Sequence, residues 1–290
     1  MTWRILSEEL DAWAAAGRAA TLWWRDDDAV EPSADLERLL GLAAARDIPI
    51  ALAAIPARAS EALARGIETA GARVTLLQHG YAHRNHAPAA EKKAELGAHR
   101  PSAAVLEELA RGQARMTALF GPGLFGPGLS GSGRFGSGPF GLGWAPVLVP
   151  PWNRIAEGLV PEIARLGFRG LSTYGARAVA EPVPGLVQIN SHVDIMRWDA
   201  PRGFLGAAEA LDLLAGHLRA RRLGEADAAE PSGLLSHHAA HDEACWAFLD
   251  ELLGRLAEHP AARFVAADEV FAAESSAPRT PTAPRQQGAA

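Results

Sequence analysis

An α/β barrel of seven or eight parallel strands, each followed by a helix, is the fold class this sequence predicts. Three observations carry that prediction. Short apolar runs alternate with helix-spaced segments from residue 21 to residue 265. No two of the strands read as an antiparallel pair. Residues suited to chemistry, namely Asp27 and Asp28, His79 and His83, Pro151 and Trp152, and His237, fall just after apolar runs. In a barrel those positions share one face.

Composition narrows the class further. With 290 residues and 48% hydrophobic content the chain can bury a real core, and one domain over residues 1–274 is expected. A net charge of -6 with no long basic run speaks against nucleic acid and anionic membranes as partners. The single cysteine, Cys245, excludes a disulfide framework and a thiolate metal site, and reads as a small buried residue. The N-terminus lacks a secretory pattern and no apolar run has membrane-spanning length, so a cytoplasmic protein is expected.

In chain order, Ser7 to about Gly17 reads as an amphipathic helix with Ser7 as N-cap. Thr21–Arg25 is a buried strand with Trp23 and Trp24 in the core, and Asp26, Asp27 and Asp28 open the loop after it. A helix begins at Pro32-Ser33 and buries Leu36, Leu39, Leu40 and Ala43; the strand Ile48–Ile55 follows, making a βαβ unit and hence a parallel sheet. A helix over about 60–70 leads to the strand Val74–Leu77, and helices are expected over about 88–97 and 101–120. Residues 121–143 repeat a Gly-Pro-Gly-Leu unit and turn Ser/Gly-rich, which predicts a flexible insertion, with a substrate-covering lid as its functional alternative. Strands near 146–149, 169–173, 186–190, 192–195, 232–235 and 263–265 alternate with helices over 156–166, 205–223 and from Asp242, an N-cap, to 256. Residues 275–290 form a Pro/Ala/Ser/Gln tail expected to be disordered.

The chain is organised around Leu76–His86. His79 and His83 sit four residues apart, close enough to share one ion on a helical turn or tight loop, and Gly80 between them favours the loop. A surface loop carries histidines without any ion, so the second cluster matters. Three adjacent carboxylates at 26–28 repel one another and end an apolar strand poorly unless something positive sits there.

Four motifs then occur in order: Arg25-Asp26-Asp27-Asp28-Ala29, His79-Gly80-Tyr81-Ala82-His83, Pro150-Pro151-Trp152 and Leu235-Ser236-His237. Together they resemble the polysaccharide deacetylase superfamily, the carbohydrate esterases of family four, over about residues 22–270. The resemblance implies a distorted (β/α)7-type barrel, a single domain of parallel strands with outer helices. It implies that Asp28, His79 and His83 hold a divalent metal ion, zinc first, with cobalt, nickel or iron accepted by the same ligands. Asp27 would be the general base, His237 the general acid, and the Trp152 backbone N–H an oxyanion donor. Trp152 and Trp198 are candidates for a sugar-stacking wall, with Tyr81 and Pro151 also beside the substrate. Arg25, Arg154 and Asp194 are assigned supporting roles.

Several alternatives stay open in the sequence. The acid pair could be Asp26 and Asp27, although the later pair fits the five-residue motif without a gap. His238 or His241 could replace His237 as acid, Asp199 could replace Asp194 in orienting it, and His86 reads as a rim residue. The chain departs from the family at Val149, where an arginine usually pairs with the base; Arg25 or Arg154 would have to supply that charge. The expected activity is metal-dependent removal of an acetyl group from an N-acetylated sugar or glycan, at a non-peptide amide bond. Competing with it are hydrolysis of another small amide or ureide, as in allantoinase-like relatives, and non-catalytic carbohydrate binding, which the missing arginine would suit.

Overall fold

The computed structural model describes residues 2–123 and 143–275; nearly all of the predicted Gly-rich insertion and the C-terminal tail lie outside the described residues. Helix α1 (Thr2–Ala15) precedes β1 (Ala20–Ala29), α2 (Ala34–Ala45), β2 (Ile50–Ala54), α3 (Glu61–Thr69) and β3 (Val74–His79). Then come α4 (Ser102–Phe120), β4 (Trp144–Val149), a short α5 (Val160–Arg165), β5 (Gly170–Leu171), β6 (Val187–Gln188) and β7 (Val193–Asp194). The chain continues through β8 (Met196–Arg197), β9 (Gly203–Phe204), α6 (Ala207–Leu223), β10 (Ser232–Ser236), α7 (Glu243–Glu258), β11 (Ala262–Phe264) and α8 (Ala267–Ser275).

The main sheet runs β6-β5-β4-β3-β2-β1-β10-β7, all pairs parallel, with β11 added to β1. Its two ends are one stretch of chain. Ile189 and Ser191 donate their N–H groups to Leu171 and Thr173 on the β5 side, while His192 and Ile195 donate to Gly233 and Leu235 of β10. Residues 187–195 therefore draw the sheet edges together and curl it into a barrel-like wall.

Strand alternation separates two layers. Trp23, Ala51, Ala53, Leu77, Val147 and Val149 pack inside the curl. Leu22, Trp24, Leu52 and Leu76 face outward and pack under residues such as Trp13 of α1, Leu39 of α2, Leu63 of α3 and Leu249 of α7. The helices start where the sequence says they should: Ser33 accepts from Leu36 N–H, Ser60 from Leu63 N–H and Asp242 from Cys245 N–H. Trp23, Trp24 and Cys245 are buried, as expected.

Four local expectations need correction. Ser7 is not an N-cap; α1 begins at Thr2, and Ser7 Oγ donates to the Trp3 carbonyl one turn back. The apolar stripe extends further N-terminally than its polar neighbours suggest, because Trp3 stacks on Phe248 at 5.5 Å. No helix forms over 88–97, where Asn85 Oδ1 accepts the N–H groups of Ala87 and Ala94, and Leu96 bridges to Ile155. The three acids end β1 itself and do not open a loop. Finally, β8 and β9 form a small antiparallel pair. No helix among the described residues is long and apolar enough to cross a membrane.

Candidate active site

The C-terminal end of β1 builds half of the site. Arg25 and Asp27 follow Trp23 in the alternation and turn into the curl, whereas Asp26 follows Trp24 toward the helices. Strict alternation would send Asp28 outward as well. Instead the β1–β2 register shifts between Asp27 and Ala29, and Asp28 takes φ 76, a left-handed conformation that aspartate tolerates better than most residues. This bulge re-aims the carboxylate. Asp28 Oδ1 ends 3.4 Å from Nε2 of both His79 and His83.

The C-terminal end of β3 supplies the other half. His79 Nδ1 lies 3.0 Å from the Val149 carbonyl, which places the ring proton on Nδ1 and leaves the Nε2 lone pair facing Asp28. After His79 the chain must turn beside Pro151, and only glycine fits: a Cβ on Gly80 would lie 2.1 Å from Glu95 Oε2 and 2.6 Å from Pro151 Cδ, at φ +54. The buried Glu95 carboxylate holds the turn, accepting the N–H groups of Tyr81 (3.0 Å), Ala82 (2.9 Å) and Arg84 (3.2 Å). His83, at φ 55, is thus folded back over His79, with ring centres 5.1 Å apart, and packs on Trp152 at 4.4 Å.

Asp28, His79 and His83 fit a divalent cation. Their ligand atoms all lie within 4.8 Å of one another, and the buried Asp28 Oδ1 has no hydrogen-bond partner. A carboxylate oxygen flanked by two imidazole nitrogens, and bonded to neither, suits a positive centre between them. Burial would raise the Asp28 pKa, but the neighbouring His79, with His83 adding, holds it below the usual carboxylate value. Burial would lower His79, yet Asp27 and Asp28 outweigh it and raise its pKa; burial and His79 lower that of His83.

Asp27 sits beside this trio on a charged brace. Arg25 Nε lies 2.9 Å from Asp27 Oδ1 and Arg25 Nη2 donates to Oδ2 at 3.1 Å, with both side chains buried. The guanidinium is itself fixed by Ser172 Oγ and Asn153 Oδ1, each at 2.7 Å. Arg154 goes elsewhere, donating Nη1 to the Lys93 carbonyl. Thus Arg25, not Arg154, lies against Asp27. Across the opening, His237 Nε2 is 3.9 Å from Asp27 Oδ2 and His237 Nδ1 is 3.7 Å from Asp194 Oδ1. Burial lifts Asp194 above the ordinary carboxylate range, against the opposing pull of His237 and of Trp198 Nε1–H, which donates at 2.7 Å. Trp198 stands edge-on to His237 at 4.6 Å and is 42% exposed. Trp152, at φ 56, lies in the first turn of a short 3-10 helix, Pro151–Asn153, where N–H groups have no intrahelical acceptor.

The remaining candidates separate from this group. Asp26 and His238 bond each other outside the curl, with Ser236 Oγ donating to Asp26 at 2.7 Å and the His238 N–H at 3.0 Å. His241 Nε2 accepts the His237 N–H at 3.2 Å. A second histidine cluster, His192, His217 and Glu230, lies beside the start of β10. There the Gly233 N–H donates to His192 Nδ1 at 2.8 Å, so the ring proton of neutral His192 is on Nε2, toward Glu230 Oε2 at 3.4 Å. That imidazole has no lone pair left for an ion.

Sequence reading named Arg25, Asp27, Asp28, His79, His83, Trp152, Asp194, Trp198 and His237, and the fold brings these together; Tyr81 follows Gly80 in the turn after β3, and Pro151, after β4, packs against Gly80. It missed Glu95, Asn153, Ser172 and Tyr174. Glu95 lies in a stretch of helix-like composition, and Asn153 and Ser172 act only through Arg25. Tyr174, 45% exposed and close to Asp194, was an isolated aromatic without a pattern.

No family model matches the chain, and no curated protein matches it in sequence. Solved structures match it in fold. A protein from Mycobacterium smegmatis described as a polysaccharide deacetylase is 17% identical with a TM-score of 0.55, over 92% of this chain and 95% of that one. A CE4 esterase from Streptococcus mutans is 10% identical with a TM-score of 0.51, over 86% of each chain. At such identities the likeness is one of fold, and it is the fold that the four motifs led us to expect.

Proposed function

We propose that this chain is a divergent family-four carbohydrate esterase that removes an acetyl group from an N-acetylated sugar or glycan, using a divalent metal ion, zinc being our first choice. The observation that carries the reading is the convergence of Asp28, His79 and His83 on one unpartnered carboxylate oxygen, with Asp27 and His237 at its edge. A metal held by these three residues would polarise the amide carbonyl and acidify water beside it.

The chain's own groups then divide the proton work. Asp27, braced by Arg25, accepts the proton of the attacking water at a carboxylate oxygen. His237 passes a proton from its imidazole to the leaving amine, and Asp194 next to Nδ1 steadies the ring while it is charged. The Trp152 N–H donates to the oxyanion, a contribution of about 3 kcal/mol by comparison with other such donors. Trp198, Trp152 and Tyr174 offer flat apolar surface for a sugar ring. The Arg25–Asp27 pair also weighs against the binding-protein reading, because it restores the charge that Val149 lacks.

The test is acetate release from N-acetyl sugars by the purified chain, with and without chelator. Asp27→Asn should abolish turnover while leaving metal content intact, and His79→Ala should remove metal and turnover together. Full metal loading in His79→Ala, or turnover indifferent to chelator, would overturn the assignment.

A further inference from the structure

The turn that carries His79 and His83 also borders a cavity of about 420 Å³, lined by Pro56, Ala57, Tyr81, Arg111 and Arg115. Its walls come from the loop after β2, from the turn after β3 that carries His79 and His83, and from α4. The first two are tied together by the Ala57 N–H, which donates to the Tyr81 carbonyl at 2.9 Å. The third is seated close to β3 because residue 112 is glycine: a Cβ there would lie 2.3 Å from Gln78 Nε2, which donates to the Gly80 and Leu109 carbonyls. Arg111 and Arg115 flank that glycine one helical turn apart, so both side chains line the cavity.

Each arginine is oriented by a neighbour that is not an acid. Arg111 lies over the Tyr81 ring, 5.0 Å from its centre. Arg115 Nη2 donates to the Ala59 carbonyl at 3.1 Å. No acid lines the cavity. Arg111 pairs at 3.9 Å with Glu108, whose other oxygen Arg100 holds more closely at 2.7 Å. In a chain of net charge -6, residues 55–60 and 80–90 carry no acid and add Arg58 and Arg84, while the Glu95 carboxylate that bonds the Tyr81 N–H is buried.

We propose that this cavity binds an oxyanion of the substrate, a phosphate or carboxylate carried on the N-acylated sugar, with Arg111 and Arg115 as its ligands. The inference rests on the hydrolase reading above and narrows its substrate class. Paired guanidiniums present planar forks that match either oxyanion, and the volume falls within the range of small-ligand sites. Because both arginines are exposed, the recognition is salt-sensitive and acts chiefly on KM.

The experiment compares N-acetylglucosamine, N-acetylglucosamine 6-phosphate and N-acetylmuramic acid as substrates for the full chain and for the Arg111→Gln/Arg115→Gln double variant, whose fold is checked by circular dichroism. A charged sugar should exceed the neutral one in kcat/KM by about tenfold or more in the unmodified chain, through KM, and the ratio should approach one in the variant or in high salt. The phosphate and carboxylate arms tell which oxyanion is preferred. Equal kcat/KM for all three sugars, or a ratio that survives both substitutions, refutes the site while leaving the hydrolase reading in place. Calorimetric titration with the same sugars separates the opposite case: no turnover, but binding of a charged sugar that weakens about tenfold in the variant, would sink the hydrolase reading and keep the anion site.

Discussion

Glu95 gives the sharpest test of how the imidazole turn is held. Its carboxylate accepts three backbone N–H groups, from Tyr81, Ala82 and Arg84, in a buried position. In Glu95→Gln one oxygen becomes an NH2 group. The amide can keep its oxygen toward Ala82 and Arg84, but it then points N–H at the Tyr81 N–H, so one bond is lost and two donors face each other. Removing one partner so that a buried donor is left unpaired costs about 1–3 kcal/mol, so the variant should lose roughly that much. Urea unfolding followed by circular dichroism reads that loss. The turn also carries His83, and outer partners of ligating residues typically affect metal affinity by about 10–100-fold. Cobalt titration, followed by its visible absorbance, should show weakening of that order. An unchanged urea midpoint together with unchanged cobalt affinity would refute the reasoning; lost stability with full affinity would mean that His83 is positioned by Trp152 instead.

Three further outcomes are expected. Gly80→Ala forces a Cβ into Glu95 and Pro151 at a positive φ, and overpacking of this kind costs about 1–3 kcal/mol before any backbone strain, so its melting temperature should fall and its cobalt affinity with it. Arg25→Leu leaves the buried Asp27 carboxylate without its cation, a change that typically costs about 3–5 kcal/mol; adding Asp27→Asn should recover part of the stability, and a double variant no more stable than the single one would refute the pairing. His217 is held neutral by burial, with His192 and Arg221 adding, its pKa depressed to about 3. Because the unfolded chain takes up that proton first, the contribution is whole above the unfolded value near 6.5 and is lost as pH falls toward 3; at pH 4 the loss is about 3 kcal/mol. His217→Gln should flatten the acid side of the stability profile, as measured by urea midpoints from pH 7 to pH 4.

Much of this arrangement was legible because strand and helix periods are robust signals. The runs around Trp23, Leu52, Leu76 and Leu148 named the barrel wall, and Ser33 and Asp242 marked helix starts that the structure keeps. Composition failed where long-range contacts decide. Residues 88–97 look helical, yet the burial of Glu95 against the turn after β3 and the pairing of Leu96 with Ile155 hold them extended or turned. The antiparallel β8 and β9 pair is too short to show an alternation.

Asp28 shows why the acid run could not be resolved by pattern alone. Period-two reading sends Asp26 and Asp28 to the same side and Asp27 to the other, so a regular strand would separate the base candidate from its neighbouring ligand candidate. The bulge reverses Asp28 only, and nothing in the letters announces a register shift between Asp27 and Ala29. The same alternation explains Arg25. An inward residue two positions before Asp27 necessarily shares its side of the strand, so a cation placed there lies against the carboxylate without help from β4. The cation beside Asp27 is therefore supplied along β1 itself, and the third acid, Asp26, joins β1 to the end of β10 through Ser236 and His238. Three consecutive aspartates thus face three different partners, a guanidinium, a pair of imidazoles and a buried histidine, which is how so much negative charge can end an apolar strand.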